Sequence, residues 1–144
     1  MIEQDTVKLL RECNAGIKMG LQAIEELLPK VKAEPLRQAL SQSGRKHEEL
    51  GNQTHELLNE CHDDGKEPHP IAKSMSWLKT NMKIAMEETD QRVAELITDG
   101  CNMGIKSLSR YLNQYAAADE RSKDIAKKLI RLEEKLATEM RDYL

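Results

Sequence analysis

Histidine and cysteine carry most of the side-chain chemistry that this sequence could offer, and both are scarce. The four histidines fall in one predicted helix and the loop after it: His47, His55, His62 and His69. We find no Ser-His-Asp arrangement that could include any of them, so hydrolytic catalysis has no support in the sequence. The segment from Cys61 to Gly65, with His69, contains metal-ligand residue types without a known zinc spacing, and we interpret it as a solvated loop.

The three cysteines, Cys13, Cys61 and Cys101, form no Cys-x-x-Cys pair. In a reducing compartment we expect them to remain thiols. Cys13 and Cys101 occupy equivalent positions of an internal repeat, so one hypothesis is that they approach each other and act as a redox pair. The alternative, which we favour, is that each is a small buried apolar residue.

The bulk composition favours a single helical domain and excludes some partners. The chain has 144 residues, 39% hydrophobic residues, 3% aromatic residues and no phenylalanine, so its core must be built from aliphatic side chains that suit packed helices. A net charge of −3 provides no basic field for nucleic acid or for an anionic membrane surface. No apolar run is long enough to span a bilayer and the first residues do not resemble a signal peptide, so we expect a cytoplasmic protein.

Apolar residues recur every three or four positions along five stretches, which predicts amphipathic helices. These stretches are residues 7–28, 36–61, 71–85, about 90–116, and those after Asp119. We expect Thr89 or Asp90 to cap the fourth stretch and Asp119 to cap the last. Pro29, Pro35 and the Asp-Asp-Gly run at 63–65 mark the turns between helices.

An internal repeat is the most informative feature. CNAGIK at residues 13–18 recurs as CNMGIK at 101–106, with five identities in six. Each copy places a glycine, Gly16 or Gly104, inside a predicted helix at a cost of about 1 kcal/mol relative to alanine. We expect these glycines to permit a close approach between helices rather than to bind phosphate.

The repeat continues into the following helix and makes His47 and Glu133 equivalent positions. It predicts one domain over residues 1–144, made of a helical hairpin at about 1–64, a crossover at about 65–88 and a second hairpin at about 89–144. Two repeated hairpins joined by a long crossover describe the connectivity of ferritin-like bundles.

Two segments carry a resemblance to a known family. HEELGNQTHELL at 47–58 and EEKLATEMRDYL at 133–144 resemble the second-helix segment of ferritin and rubrerythrin relatives, in which Glu-x-x-His supplies metal ligands. The resemblance implies an all-α, ferritin-like antiparallel four-helix bundle with an extra crossover helix between its second and third helices.

The same alignment departs from the family at its metal ligands. The matching positions are His47-x-x-Leu50 and Glu133-x-x-Leu136, so a leucine stands where each copy should supply histidine. The first helix of each hairpin also lacks a central glutamate. We therefore do not expect an ordinary di-iron carboxylate site.

A polar layer is predicted halfway along the bundle. It is formed by Asn14, His47, Asn102 and Glu133. His47 and Glu133 both fall on apolar stripes, so we expect them to satisfy each other by a hydrogen bond. Periodicity leaves open whether Cys13 or Asn14 faces inward, and likewise Cys101 or Asn102.

Three interpretations of this layer remain, of which a small-molecule pocket is the least specific. The favoured one is that the layer fixes the register and topology of the bundle. Another is one bound iron, manganese or zinc ion held by His47 and Glu133, with Cys13 and Cys101 as neighbouring thiols.

Two functions follow from these interpretations. The first is a non-enzymatic bundle that acts through protein contacts, as a homodimer formed by the crossover stripe of Met75, Trp77, Leu78 and Met82. The second is a metal-dependent oxidoreductase or metal-storage protein of atypical ligation, an inference that rests mainly on the fold.

Overall fold

The computed structural model describes residues 2–61 and 89–144, and all regular structure in these ranges is helical. The helices are α1 (Ile2–Leu27), α2 (Glu34–Glu60), α3 (Asp90–Gln114) and α4 (Glu120–Met140), with short 3-10 turns at Leu28–Lys30 and Arg141–Tyr143. The four long helices match the predicted bundle helices. The predicted crossover helix, with Met75, Trp77, Leu78 and Met82, lies outside the described residues.

The bundle is held at both ends by side chains that bind loop backbone. At one end the Asp5 carboxylate accepts from the Ala117 amide at 3.1 Å, and the Thr6 hydroxyl accepts from the Asp119 amide at 2.8 Å. These contacts explain why α1 begins at Ile2 rather than near residue 7, because its first turn packs on the α3–α4 connection. At the far end, the Asp90 side chain binds the backbone of the α1–α2 connection.

The Asp90 carboxylate joins the two hairpins at that far end. Its Oδ1 and Oδ2 accept from the backbone amides of Lys32 and Ala33 at 2.7 and 2.9 Å. Glu60, at the end of α2, instead pairs with Arg121 at the start of α4. The end of α2 and the start of α3 therefore lie at opposite ends of the bundle, as the connectivity of a long crossover requires.

The predicted caps are confirmed. Thr89 is the N-cap of α3 and its hydroxyl accepts from the Arg92 amide at 3.1 Å, while Asp119 caps α4 by accepting from the Ser122 amide at 2.8 Å. Each cap satisfies one of the amides that a helix start leaves without an internal partner.

The core consists of two aliphatic clusters stacked along the bundle. The cluster at the Asp90 end includes Leu36, Leu40 and Leu136, and the cluster at the Asp119 end includes Leu50 and Leu129. Between them α2 contributes His47 and α4 contributes Glu133, both buried. None of the described helices combines the length and apolar character needed to cross a bilayer.

We expect Asp90→Ala to lower the free energy of unfolding by about 1–2 kcal/mol, because two loop amides lose a charged acceptor. Asp99→Ala removes the same charge from an exposed position within the same helix and should change stability by less than about 0.5 kcal/mol. Urea unfolding followed by circular dichroism measures both. Equal effects of the two substitutions would contradict a bridging role for Asp90.

Candidate functional site

His47 and Glu133 form a buried pair between the two core clusters. His47 Nε2 lies 2.8 Å from Glu133 Oε1, with His47 fully buried and Glu133 8% exposed. His47 Nδ1 lies 2.7 Å from the backbone carbonyl of Ser43, one turn earlier in α2. The structure thus brings together the two repeat-related residues that the sequence predicted to pair.

The hydrogen bonds around His47 determine where its protons lie. A carbonyl can only accept, so Nδ1 carries a proton and donates it to Ser43. A proton must also lie between Nε2 and the Glu133 oxygen, since two lone pairs would repel at 2.8 Å. Burial by itself lowers the pKa of His47, but the hydrogen bond and negative charge of Glu133, with the Ser43 carbonyl, raise it above its ordinary value. The raised pKa favours the protonated imidazole beside the Glu133 side chain.

Cys101 lies beside this pair and is a protonated thiol. Burial, together with the charge and hydrogen bond of Glu133, raises the pKa of Cys101 far above its ordinary value. Burial and the charge of Glu12 likewise raise the pKa of Cys13 to about 12. Both cysteines are buried and free, and they belong to different core clusters. This arrangement favours the interpretation as buried apolar residues over the redox pair.

Asn102, a predicted member of the polar layer, does not face the core. Asn102 is exposed, and Cys101 takes the inward position on α3. The reason is the helical period: Cys101 is four residues from Ile97 and seven from Leu108, so it shares their buried face, whereas Asn102 is turned about 100° away. The sequence prediction for Asn102 was wrong.

Asn14 is buried as predicted, but it does not join the hydrogen-bonded pair. It is 1% exposed, and its Nδ2 has no hydrogen-bond partner among the described residues. Cys13, its neighbour, is buried as well. In α1, therefore, both of the residues between which periodicity could not choose face the interior.

A half-enclosed cleft of about 110 Å³ lies between α1 and α3, and His47 and Glu133 form part of its wall. Four helix glycines also line it: Gly16, Gly20, Gly100 and Gly104. A Cβ atom at Gly20 would lie 2.7 Å from His47 Nε2, so this glycine makes room for the imidazole. A Cβ atom at Gly100 would meet no described residue within 4 Å.

Sequence reasoning missed this cleft. We expected Gly16 and Gly104 to let helices approach closely, yet a Cβ at either position would make only ordinary contacts of 3.6 Å, with Leu129 and Glu133. The four-residue spacing of the glycines could have predicted it. Gly100 and Gly104 share one face of α3, and Gly16 and Gly20 share the facing side of α1. Two facing rows of glycine leave space that no side chain in residues 4–61 or 89–144 fills.

The residues present do not fit the paired metal centre of the family that the sequence resembles. The described residues contain no group of three or more histidine, cysteine, aspartate or glutamate side chains that could hold a metal ion. Leu50 and Leu136 are buried in the aliphatic clusters at the positions where histidine ligands would be required. His47 uses both ring nitrogens in hydrogen bonds, and the Cys101 thiol is protonated.

We expect Gly20→Ala to destabilise the protein by about 1–3 kcal/mol, because the new methyl group must displace a hydrogen-bonded, buried imidazole. Gly100→Ala is the matched control: it should stabilise α3 by up to about 1 kcal/mol through helix propensity alone. Thermal and urea unfolding distinguish the two. Stabilisation by both substitutions would show that His47 is not held in place.

The raised pKa of His47 predicts how stability depends on pH. The folded state holds the imidazolium proton more tightly than the unfolded state, so this stabilisation is complete below about pH 6.5 and is lost as the pH rises through the folded-state pKa. The difference in unfolding free energy between wild type and His47→Gln should therefore narrow as the pH rises above about 6.5. His55→Gln, which removes an exposed histidine, is the control. A gap that widens with pH would contradict the ion pair.

Comparisons with known proteins identify the fold. No family model matches the chain, and no curated protein matches it. Among solved structures, the Escherichia coli stress protein YciF superposes with a TM-score of 0.75 at 13% identity, over 99% of this chain and 93% of its own. The bacterioferritin-related protein of Bacteroides fragilis, described as a dodecameric thioferritin, superposes with a TM-score of 0.68 at 13% identity, over 99% of this chain and 89% of its own. The chain therefore has the all-α, ferritin-like four-helix-bundle fold that its repeat predicts.

Proposed function

We propose that the protein is a non-enzymatic helical bundle that acts through protein contacts, beginning with contacts between copies of itself. The observation that carries this proposal is the His47–Glu133 pair at 2.8 Å. It places an imidazole and a carboxylate inside the bundle, and it uses both imidazole nitrogens in structural hydrogen bonds. A histidine that acts as a general base or metal ligand needs a ring nitrogen with an available lone pair, and both nitrogens of His47 are engaged, so this histidine is better suited to fixing the bundle than to catalysis.

Self-association is supported by two independent arguments. The similar bacterioferritin-related protein is described as dodecameric, so this fold can assemble from many copies. The sequence between the two hairpins also offers an apolar stripe of methionine, leucine and tryptophan, residue types that are favoured at interaction surfaces. We propose that this stripe, formed by Met75, Trp77, Leu78 and Met82, is the surface of a homodimer.

The alternative function is an atypical metal protein, either an oxidoreductase or a storage protein. Its support is the fold together with the imidazole of His47 and the carboxylate of Glu133, two ligand types that iron, manganese and zinc take, with Cys101 as a neighbouring thiol. Binding would have to remove a proton from His47 and from Cys101, and burial and Glu133 disfavour the loss of the thiol proton. We therefore place this function second.

Light scattering on the purified protein tests the homodimer. Wild type should have the mass of a dimer, and one chain has a mass of 16.4 kDa. Leu78→Asp should shift the protein toward the monomer, because the dimer contact would then bury a charge. Ser76→Asp introduces the same charge two residues away, at least about 100° around the predicted helix from every residue of the stripe, and should leave the dimer intact. A monomeric wild type, or equal dissociation by both substitutions, would contradict the proposal.

Metal analysis of the same samples separates the two functions. Protein purified without chelator, as wild type and His47→Ala, is measured by inductively coupled plasma mass spectrometry. If the proposed function is correct, wild type and His47→Ala should contain the same trace amounts of metal. Near-stoichiometric iron, manganese or zinc that disappears in His47→Ala would establish the alternative function instead.

A further inference from the structure

The cleft between α1 and α3 is large enough for a small organic group. Its volume is about 110 Å³, less than the roughly 150 Å³ of a protein cavity that holds benzene, so it can enclose only part of a ring-sized molecule. The walls are mostly glycine, alanine and aliphatic side chains, with Leu129 behind Gly16. Because the cleft is open along one side, part of a bound molecule can project into solvent.

The charges around the cleft are unbalanced. Its lining includes the carboxylates of Glu12 and Glu133 and the imidazole of His47, and no lysine or arginine lines it among the described residues. The His47 imidazolium compensates Glu133 at 2.8 Å. The charge of Glu12 has no such partner among the described lining residues, so the part of the lining that the structure describes is negative and suits a cation.

Glu12 is positioned to receive that cation. It lies on the same face of α1 as Gly16 and Gly20, at four-residue spacing, so it stands about 12 Å along the helix from the level of His47. The Tyr111 hydroxyl on α3 donates a hydrogen bond to it across the end of the cleft. One donated bond orients the carboxylate and leaves further acceptor positions on its two oxygens.

We propose that the cleft between α1 and α3 is a binding site for a small organic ammonium ion, whose nitrogen binds the Glu12 carboxylate and whose compact apolar body packs against the glycine walls. The partly buried carboxylate strengthens the attraction to the cation because the walls around it have a low dielectric constant. The apolar body gains by leaving water for a surface of glycine, methionine and leucine. This inference does not depend on whether the protein forms a homodimer.

Benzylamine, with benzyl alcohol as its neutral isostere, is a direct probe of the site. In ¹H–¹⁵N correlation spectra of the ¹⁵N-labelled full chain, benzylamine should cause saturable shifts of the amides of Gly16, Gly20, Gly100 and Gly104. Benzyl alcohol should bind at least about tenfold more weakly, since it lacks the charge that Glu12 binds.

Two variants distinguish recognition of the ligand's charge from the space that the cleft offers. Glu12→Gln should weaken benzylamine about tenfold and leave benzyl alcohol unchanged. Gly100→Leu should abolish binding of both, because its side chain enters the cleft at a point where even a Cβ atom would have no described neighbour within 4 Å. Circular dichroism and thermal unfolding establish that each variant is folded.

Three results would overturn the proposal. The first is the absence of saturable shifts at the four glycines in wild type. The second is equal binding of benzylamine and benzyl alcohol, which would mean that the cleft selects apolar bodies without regard to charge. The third is a folded Glu12→Gln protein with undiminished affinity for benzylamine.

Discussion

A buried imidazole and a buried carboxylate can coexist in this core because each supplies what the other lost on leaving water. His47 is fully buried and Glu133 nearly so, and a lone charge of either sign would be costly at that depth. The 2.8 Å contact, completed by the Ser43 carbonyl, determines much of the surrounding structure. It fixes the rotation of α2 and α4, and it requires glycine at position 20, where a methyl group would collide with the ring.

The two copies of the sequence repeat carry different residues at this pair. His47 and Glu133 occupy equivalent positions of the two hairpins, one supplying the donor and the other the acceptor. In a symmetric bundle the same two positions would carry identical residues, which suits two equivalent ligands of a central metal site. One donor and one acceptor suit a hydrogen bond instead, with Leu50 and Leu136 closing the aliphatic clusters on either side.

The fold and the side chains of the site therefore provide different evidence about function. At 13% identity, the similarity to YciF and to the bacterioferritin-related protein concerns the backbone, and one backbone can support unrelated activities. The side chains give the functional evidence: a hydrogen-bonded His47–Glu133 pair inside, the protonated Cys101 thiol beside it, and a small cleft whose described lining includes the carboxylate of Glu12. These features favour binding over chemical conversion.

The sequence by itself determined the four bundle helices, the cap at Asp119, the narrowing of the α3 cap to Thr89 or Asp90, the two-hairpin repeat and the pairing of His47 with Glu133. Such features follow from local rules: a period of 3.6 residues, side chains that accept from the first amides of a helix, and the cost of leaving a buried polar group unsatisfied. Tertiary structure alone decided that Cys101 rather than Asn102 faces inward, that Asn14 is buried with its Nδ2 unpaired among the described residues, and that four glycines enclose a cleft. Periodicity defines a face only to within one residue, whereas the rotation of each helix and the gap between two helices depend on how all four pack together.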